Sequence, residues 1–146
     1  MCKRDKMMEY RKLEEKDFPS LSRLQRAYKV SVHESLPKSD QLDRLKAAMK
    51  KGSIEFYGAF DQEKLVGICS LCRAFSTFRY ECIGVLEDLY VLTDYRGKGV
   101  AKELIDEVYR DSHLSTLSVT CSEESLPLFR SFGFRYDLGV NYLRID

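Results

Sequence analysis

The amino-acid sequence predicts an α/β fold of the mixed α+β kind, a central twisted mixed β-sheet flanked by about four helices. Three observations carry that prediction. Short apolar runs bounded by turn residues, "SIEFYGAF", "KLVGICSLCRAF" and "VLEDLYVL", have the length and composition of strands. Around them apolar residues recur at helical spacing, most clearly Val100, Leu104, Ile105 and Val108, opposite Lys102, Glu103, Asp106 and Arg110. Finally, 146 residues with 44% hydrophobic content are enough for one compact domain, residues 1–146, and too few for two ordinary ones.

The elements follow in chain order. "MMEYRKL" can form a first strand, and the fold pattern starts only there, which makes Met7 or Met8 an alternative point of initiation. "DFPSLSRLQRAY" reads as a helix with Asp17 near its cap, Pro19 in its first turn, and Leu21, Leu24 and Tyr28 on one face. After the polar "KVSVHESLPK", a second helix begins at Ser39 or Asp40. It carries Leu42, Leu45, Ala48 and Met49 on one stripe, ends in Lys50 and Lys51, and stops at Gly52. "SIEFYGAF" and "KLVGICSLCRAF", joined by the polar "DQEK", predict an antiparallel hairpin. "GVLEDLYVL" is a further strand, and the helix of Val100 to Arg110 packs on the sheet. "STLSVTC" alternates with period two, and "SLPLFRSF" predicts a short helix capped by Ser125, since Pro127 fits only its first turn. "GFRYD" and "VNYLRI" predict a closing hairpin around Leu138 and Gly139.

Charge excludes little but points nowhere special. The 24 Lys and Arg nearly balance the 23 Asp and Glu, so no basic field marks a nucleic-acid or acidic-lipid partner. No run reaches the roughly 18 apolar residues of a membrane span, and "MCKRDKMMEY" lacks the apolar core of a signal peptide, which is the pattern of a soluble cytoplasmic protein with no membrane partner. Five cysteines, Cys2, Cys69, Cys72, Cys82 and Cys121, make an odd number that fits a reducing compartment. The CxxC of "CSLC" lies in a strand, where residues three apart face opposite sides and cannot grip one metal, so the site residues include no metal ligands.

The most informative stretch is "DYRGKGVAKEL", residues 94–104, where a strand gives way to a helix across two glycines. Glycines there let the backbone approach a ligand, and a helix start offers unpaired N–H groups with the positive end of the dipole. The dipole alone contributes roughly 0.3 to 1 kcal/mol, so directed N–H bonds and Arg96 or Lys98 must add the rest, which suits a polyphosphate better than one carboxylate. GxxxxGK[ST] is absent because Gly99 and Val100 follow Lys98, and GxGxxG fails at Lys102. Arg96, Gly97, Lys98, Gly99, Val100 and Ala101 do match R/Q-x-x-G-x-G/A.

That match, after "LEDLYVLTDY", resembles the coenzyme A pyrophosphate loop of the GNAT N-acetyltransferase superfamily. The resemblance covers almost the whole chain, since the order of elements is similar and "GFRYD" sits where those proteins carry "GF" after the fourth helix. "FSTF", from Phe75 to Phe78, with "VLEDLYVLTDYRGKG" is similar to the spermidine/spermine and thialysine N-acetyltransferase branch. The resemblance implies a GNAT fold and direct transfer of an acetyl group from acetyl-CoA, the cosubstrate, to a primary amine. The acceptor would be a small molecule of polyamine or amino-acid-like character, or an exposed peptide amine.

It further implies that the pyrophosphate rests on Gly97, Lys98, Gly99, Val100, Ala101 and Lys102, and that the pantetheine follows Leu89, Tyr90 and Val91, where a backbone N–H polarises the thioester carbonyl. Glu87 and Asp88 stand where that branch binds or deprotonates its amine. In a regular strand they face opposite sides, so one enters the cleft, and Glu87 is favoured. An amine of pKa about 10.4 must spend roughly 4.6 kcal/mol to become neutral at pH 7, which gives a carboxylate its use. One departure stands out. Four residues before Gly133 is Phe129, where most GNAT enzymes place a thiolate-protonating tyrosine, and the usual asparagine is Ser122. Either water or another hydroxyl serves, with Tyr90, Tyr136 and Tyr142 available by type, or the chain is a weak or inactive acetyl-CoA-sensing module that regulates a protein partner. Acceptor choice falls to the segment from Val30 to Lys38, where His33 and Glu34, like Tyr28 just before it, read as surface or packing residues. Edge strands and the closing hairpin offer surfaces for a homodimer.

Overall fold

A computed structural model describes residues 8–145. Met7 of the expected first strand and Cys2 lie outside them. Five strands form one sheet in the spatial order of the chain: β1 (Met8–Lys12), β2 (Glu55–Asp61), β3 (Lys64–Ser76), β4 (Glu81–Val91) and β5 (Leu117–Val119). The first four pair antiparallel and β5 lies parallel to β4, so the sheet is mixed, as the sequence predicts. Four α-helices accompany it: α1 (Phe18–Ser31), α2 (Ser39–Lys51), α3 (Val100–Ser112) and α4 (Leu126–Ser131).

Each face of the sheet buries its own apolar layer. On one, Leu21 and Leu24 of α1 close over Phe56, Phe60, Leu65 and Ile68, with Leu45 and Met49 of α2 at the margin. On the other, Val100, Leu104, Ile105 and Val108 of α3 cover Tyr57, Val66, Cys69, Leu71, Leu86 and Val91. The helical spacing of those four α3 residues is what selects the buried stripe, and each such side chain taken from water contributes about 1.5–3 kcal/mol. Gly52 ends α2 with φ at +77°, in the left-handed conformation its position predicts.

Asp17 holds the N-cap position of α1, as expected, and its carboxylate accepts from Arg11 and from the N–H of Glu14. Two local expectations need correction. Ser125 holds the N-cap position of α4 without a side-chain cap; its own N–H donates to Ser122 Oγ at 3.2 Å. The closing hairpin is not formed: residues 134–145 contain no strand, and Tyr136, Leu138, Val140, Tyr142, Leu143 and Ile145 are all exposed. Phe134 packs against the α3-side core, but the apolar residues after it do not follow, and burial is what turns an alternating pattern into a strand.

Candidate active site

The site is created by two irregularities in β4. β5 pairs with β4 only through Gly84↔Leu117, Val85↔Ser118 and Leu86↔Val119. Beyond Leu86 the two strands part, and β4 shows a free backbone edge towards the gap while its other edge stays bonded to β3. The second irregularity is a bulge. Leu71 of β3 faces Leu86 and Cys69 faces Leu89, so the single residue Ser70 stands opposite two, Glu87 and Asp88.

The bulge resets which way the carboxylates point. Leu86 and Leu89 are three apart, yet both pack into the α3 layer, while Tyr90 belongs to the α1 layer. The two residues between the leucines therefore share the α1 side. Both Glu87 and Asp88 line the cleft, in contrast to the expectation that only one of the pair would enter it. The alternation argument assumed regular pleating, which the extra residue breaks.

The cleft encloses about 320 Å³. Its β4 wall is Leu86, Glu87, Asp88 and Leu89; the opposite wall is Val119, Thr120, Cys121 and Ser122 at the end of β5; Tyr28 and Val32 of α1 and Ser125 and Phe129 of α4 close it. Among the described residues no cation lines it, so its two carboxylates set its field. Burial first, and Asp88 next, push the Tyr28 phenol above its usual range, which keeps that hydroxyl protonated and able to donate. Tyr28 packs against Tyr90 with ring centres 5.9 Å apart and the rings tilted by 54°. Asp88 is held firmly: Gln25 Nε2 donates to its Oδ2 at 3.1 Å, and its own N–H donates to Ser70 Oγ at 2.8 Å. Glu87 is exposed and makes no hydrogen bond or ion pair among the described residues.

The glycine stretch lies at the other end of the free β4 edge. Tyr95 anchors it, donating its hydroxyl to Asp61 Oδ2 at 2.6 Å, and Arg96 Nε donates to Val91 O at 2.8 Å with its guanidinium 5.5 Å from the Tyr90 ring. Gly97 and Gly99 then take φ of +72° and +82°, and a Cβ built on either would meet nothing within 4 Å. Gly99 is the N-cap of α3 and no side chain caps it. The first-turn N–H groups of Val100, Ala101 and Lys102 thus have no intrahelical acceptor. Lys98 rests 5.7 Å from the Tyr95 ring and Lys102 pairs with Asp106 at 2.7 Å, so backbone donors, more than these cations, shape the cradle. That is a fit for a diphosphate.

The profile of the acetyltransferase (GNAT) domain family matches residues 24–143. The chain belongs to the GNAT acetyltransferase family. This GNAT protein is accordingly an N-acetyltransferase by family, with acetyl-CoA as its acyl donor. No curated protein matches it in sequence. Among solved structures it is similar to an acetyltransferase of Trypanosoma brucei, with 27% identity over 95% of this chain and 99% of that one, and a TM-score of 0.71. A second similar structure is an aminoglycoside acetyltransferase from an uncultured soil metagenomic sample in complex with sisomicin (18% identity, 97% of each chain, TM-score 0.79). A third is a predicted acetyltransferase with acetyl-CoA from Clostridium acetobutylicum (16% identity, 94% of this chain and 96% of that one, TM-score 0.76).

For this GNAT protein the structure brings Glu87, Asp88 and Leu89 together in the cleft, while Arg96 to Lys102 follow the far end of β4 and line no part of it. It does not bring the tyrosines considered as proton donors to the cleft. Tyr136 and Tyr142 are 90% and 94% exposed, and Tyr90 packs against Tyr28. Phe129 is wedged edge-on between Phe132 and Phe134 and offers no hydroxyl. The hydroxyls that do line the cleft are those of Tyr28, Thr120, Ser122 and Ser125, with Ser122 Oγ donating to Ser125 Oγ at 3.0 Å. Tyr28 was hidden in the sequence by its place on the apolar face of α1. Among the described residues no helix is long and apolar enough to cross a membrane.

Proposed function

We propose that this chain, read as one GNAT domain, acetylates a primary amine on a small molecule that carries more than one amino group. The observation that carries this is the bulge, which presents two carboxylates on one side of a cleft lined by no cation. One carboxylate is needed by the reacting amine, and the second favours another ammonium on the same acceptor. Sequence similarity to the spermidine/spermine and thialysine branch in "FSTF" and "LEDLYVLTDYRGKG" supports the same acceptor class, as does the similar aminoglycoside acetyltransferase in complex with sisomicin.

Acetyl-CoA supplies the activated acetyl thioester. In this reading the N–H groups of Gly97 to Lys102 hold its pyrophosphate, and the unpaired edge of Leu89, Tyr90 and Val91 takes the pantetheine. A backbone N–H on that edge donates to the carbonyl oxygen as negative charge gathers there, an effect worth a few kcal/mol. Asp88 or Glu87 takes the proton that the ammonium must lose. With Phe129 silent, the proton for the departing thiolate comes from water or a cleft hydroxyl; a thiol of ordinary pKa about 8.5 makes this the less demanding transfer.

Thiol release from acetyl-CoA, measured against spermidine, lysine, aminoglycosides and peptides, tests the proposal. Amine-dependent release with a multi-amine acceptor is expected. Tight coenzyme A binding without release for any amine favours the second reading, an acetyl-CoA-sensing module, which Phe129 and Ser122 motivate.

A further inference from the structure

Gln25 lies in the buried face of α1, next to Leu24, and is only 7% exposed. An amide in that position costs about 1–3 kcal/mol unless it is hydrogen-bonded, and its bond goes to one place, Asp88 Oδ2. Ser70 is fully buried in the middle of β3, and its Oγ accepts the N–H of the same residue. The buried polar residues among those described are Asp17, Gln25, Ser70 and Ser112, so half of them are spent on Asp88. A surface carboxylate with no task would need neither.

We propose that Gln25 is a positioning residue for acetyl transfer: it holds Asp88 by Oδ2 so that Oδ1 is presented to the acceptor amine, making Asp88, and not the exposed Glu87, the proton acceptor. This rests on the acetyltransferase reading above. The proton balance is simple. An N–H bond of the ammonium breaks, an O–H bond forms at Oδ1, and the electron pair stays on nitrogen for attack. Gln25 also forms part of the wall of a neighbouring groove of about 750 Å³ between α1 and α2, which Lys29, Glu34 and Leu42 line as well. An acceptor whose body occupied that groove would reach Asp88 past Gln25, so the residue stands between binding and chemistry.

A double-mutant cycle on the full chain tests this. Gln25→Met keeps the volume and removes the donor; Gln25→Glu keeps a polar group and turns an acceptor towards Asp88; each is combined with Asp88→Asn after its Tm is checked. The acceptor is whichever of spermidine, lysine and sisomicin the wild type acetylates fastest. Expected is about a tenfold loss of kcat/KM for the amine in either single Gln25 variant, with KM for acetyl-CoA unchanged, and less than about twofold further loss when Asp88 is already Asn. Additive losses would show that Gln25 acts through general packing and overturn the proposal, as would a Gln25→Met enzyme at wild-type rate. Failure of the wild type to acetylate any of the three would overturn the amine reading itself, a result distinct from either.

Discussion

Gly99 combines two demands that glycine meets best. Its φ of +82° lies in the left-handed region that side chains rarely adopt, and a Cβ there would stand in open space at the N-cap of α3. Gly99→Asp therefore strains the turn and also sets a negative charge where a diphosphate is to bind. Calorimetry should show coenzyme A affinity lowered beyond detection, with the melting temperature of the free protein falling only a few degrees, about the effect of 1 kcal/mol in a domain of this size. The carboxylate pair allows a second contrast. Asp88 is gripped at Oδ2 and at its N–H, whereas Glu87 is exposed with no hydrogen bond among the described residues. Asp88→Asn should reduce kcat/KM for the amine by about 10²-fold or more, the lower range for a lost acid–base group, and Glu87→Gln by less than tenfold. Steady-state rates at fixed pH decide it, and equal losses would mean that the two share the proton.

Among the elements, the corner between β1 and α1 determines how α1 crosses the sheet, and hence where Gln25 and Tyr28 sit over the cleft. Arg11 donates to both oxygens of Asp17, at 2.8 and 2.9 Å, with its guanidinium 4.3 Å from the centre of the Phe60 ring. The hydrogen bond from Arg11 pulls the Asp17 carboxyl below its usual range, and the N–H of Glu14 helps. A depressed carboxylate stabilises the fold fully above its unfolded pKa near 4 and loses that stabilisation as pH falls through the folded value. Asp17→Asn should cost about 1.5–3 kcal/mol in urea unfolding at pH 7, and the gap to the wild type should close in acid, below about pH 4. Elements differ in how plainly the sequence announces them. The α3 stripe and the glycine cradle are legible because spacing and left-handed turns constrain residue type directly. The bulge is legible only in hindsight: "LEDL" spaces two leucines of the same layer three apart, which period-two pleating cannot do, but a four-residue signal is easily taken for noise. The final hairpin misleads for the opposite reason, because "GFRYD" and "VNYLRI" have strand composition while their burial depends on contacts that no local pattern records.

At the scale of the whole molecule, the cysteines sample three depths of one cooperative unit. Cys69 is fully buried in β3, which is bonded on both sides, and burial pushes its thiol up to about 12, with Asp88 adding to the rise. Cys82 is exposed in β4, and Cys121 lines the cleft. Alkylation needs a thiolate with access to reagent. Followed by mass spectrometry, Cys82 should react first, and Cys69 only when the sheet opens as a whole, so the urea dependence of its labelling should match that of global unfolding. Acetyl-CoA then separates local cover from global stabilisation. It should shield Cys121 directly and leave Cys82 unchanged. It should also slow Cys69, which the ligand never touches, because a ligand at 100 times its Kd stabilises the folded state by about 2.7 kcal/mol, roughly a hundredfold in the population of the open form. Cys69 labelling as fast as that of Cys82, or unmoved by acetyl-CoA, would mean that cradle, cleft and core do not share a single folding equilibrium.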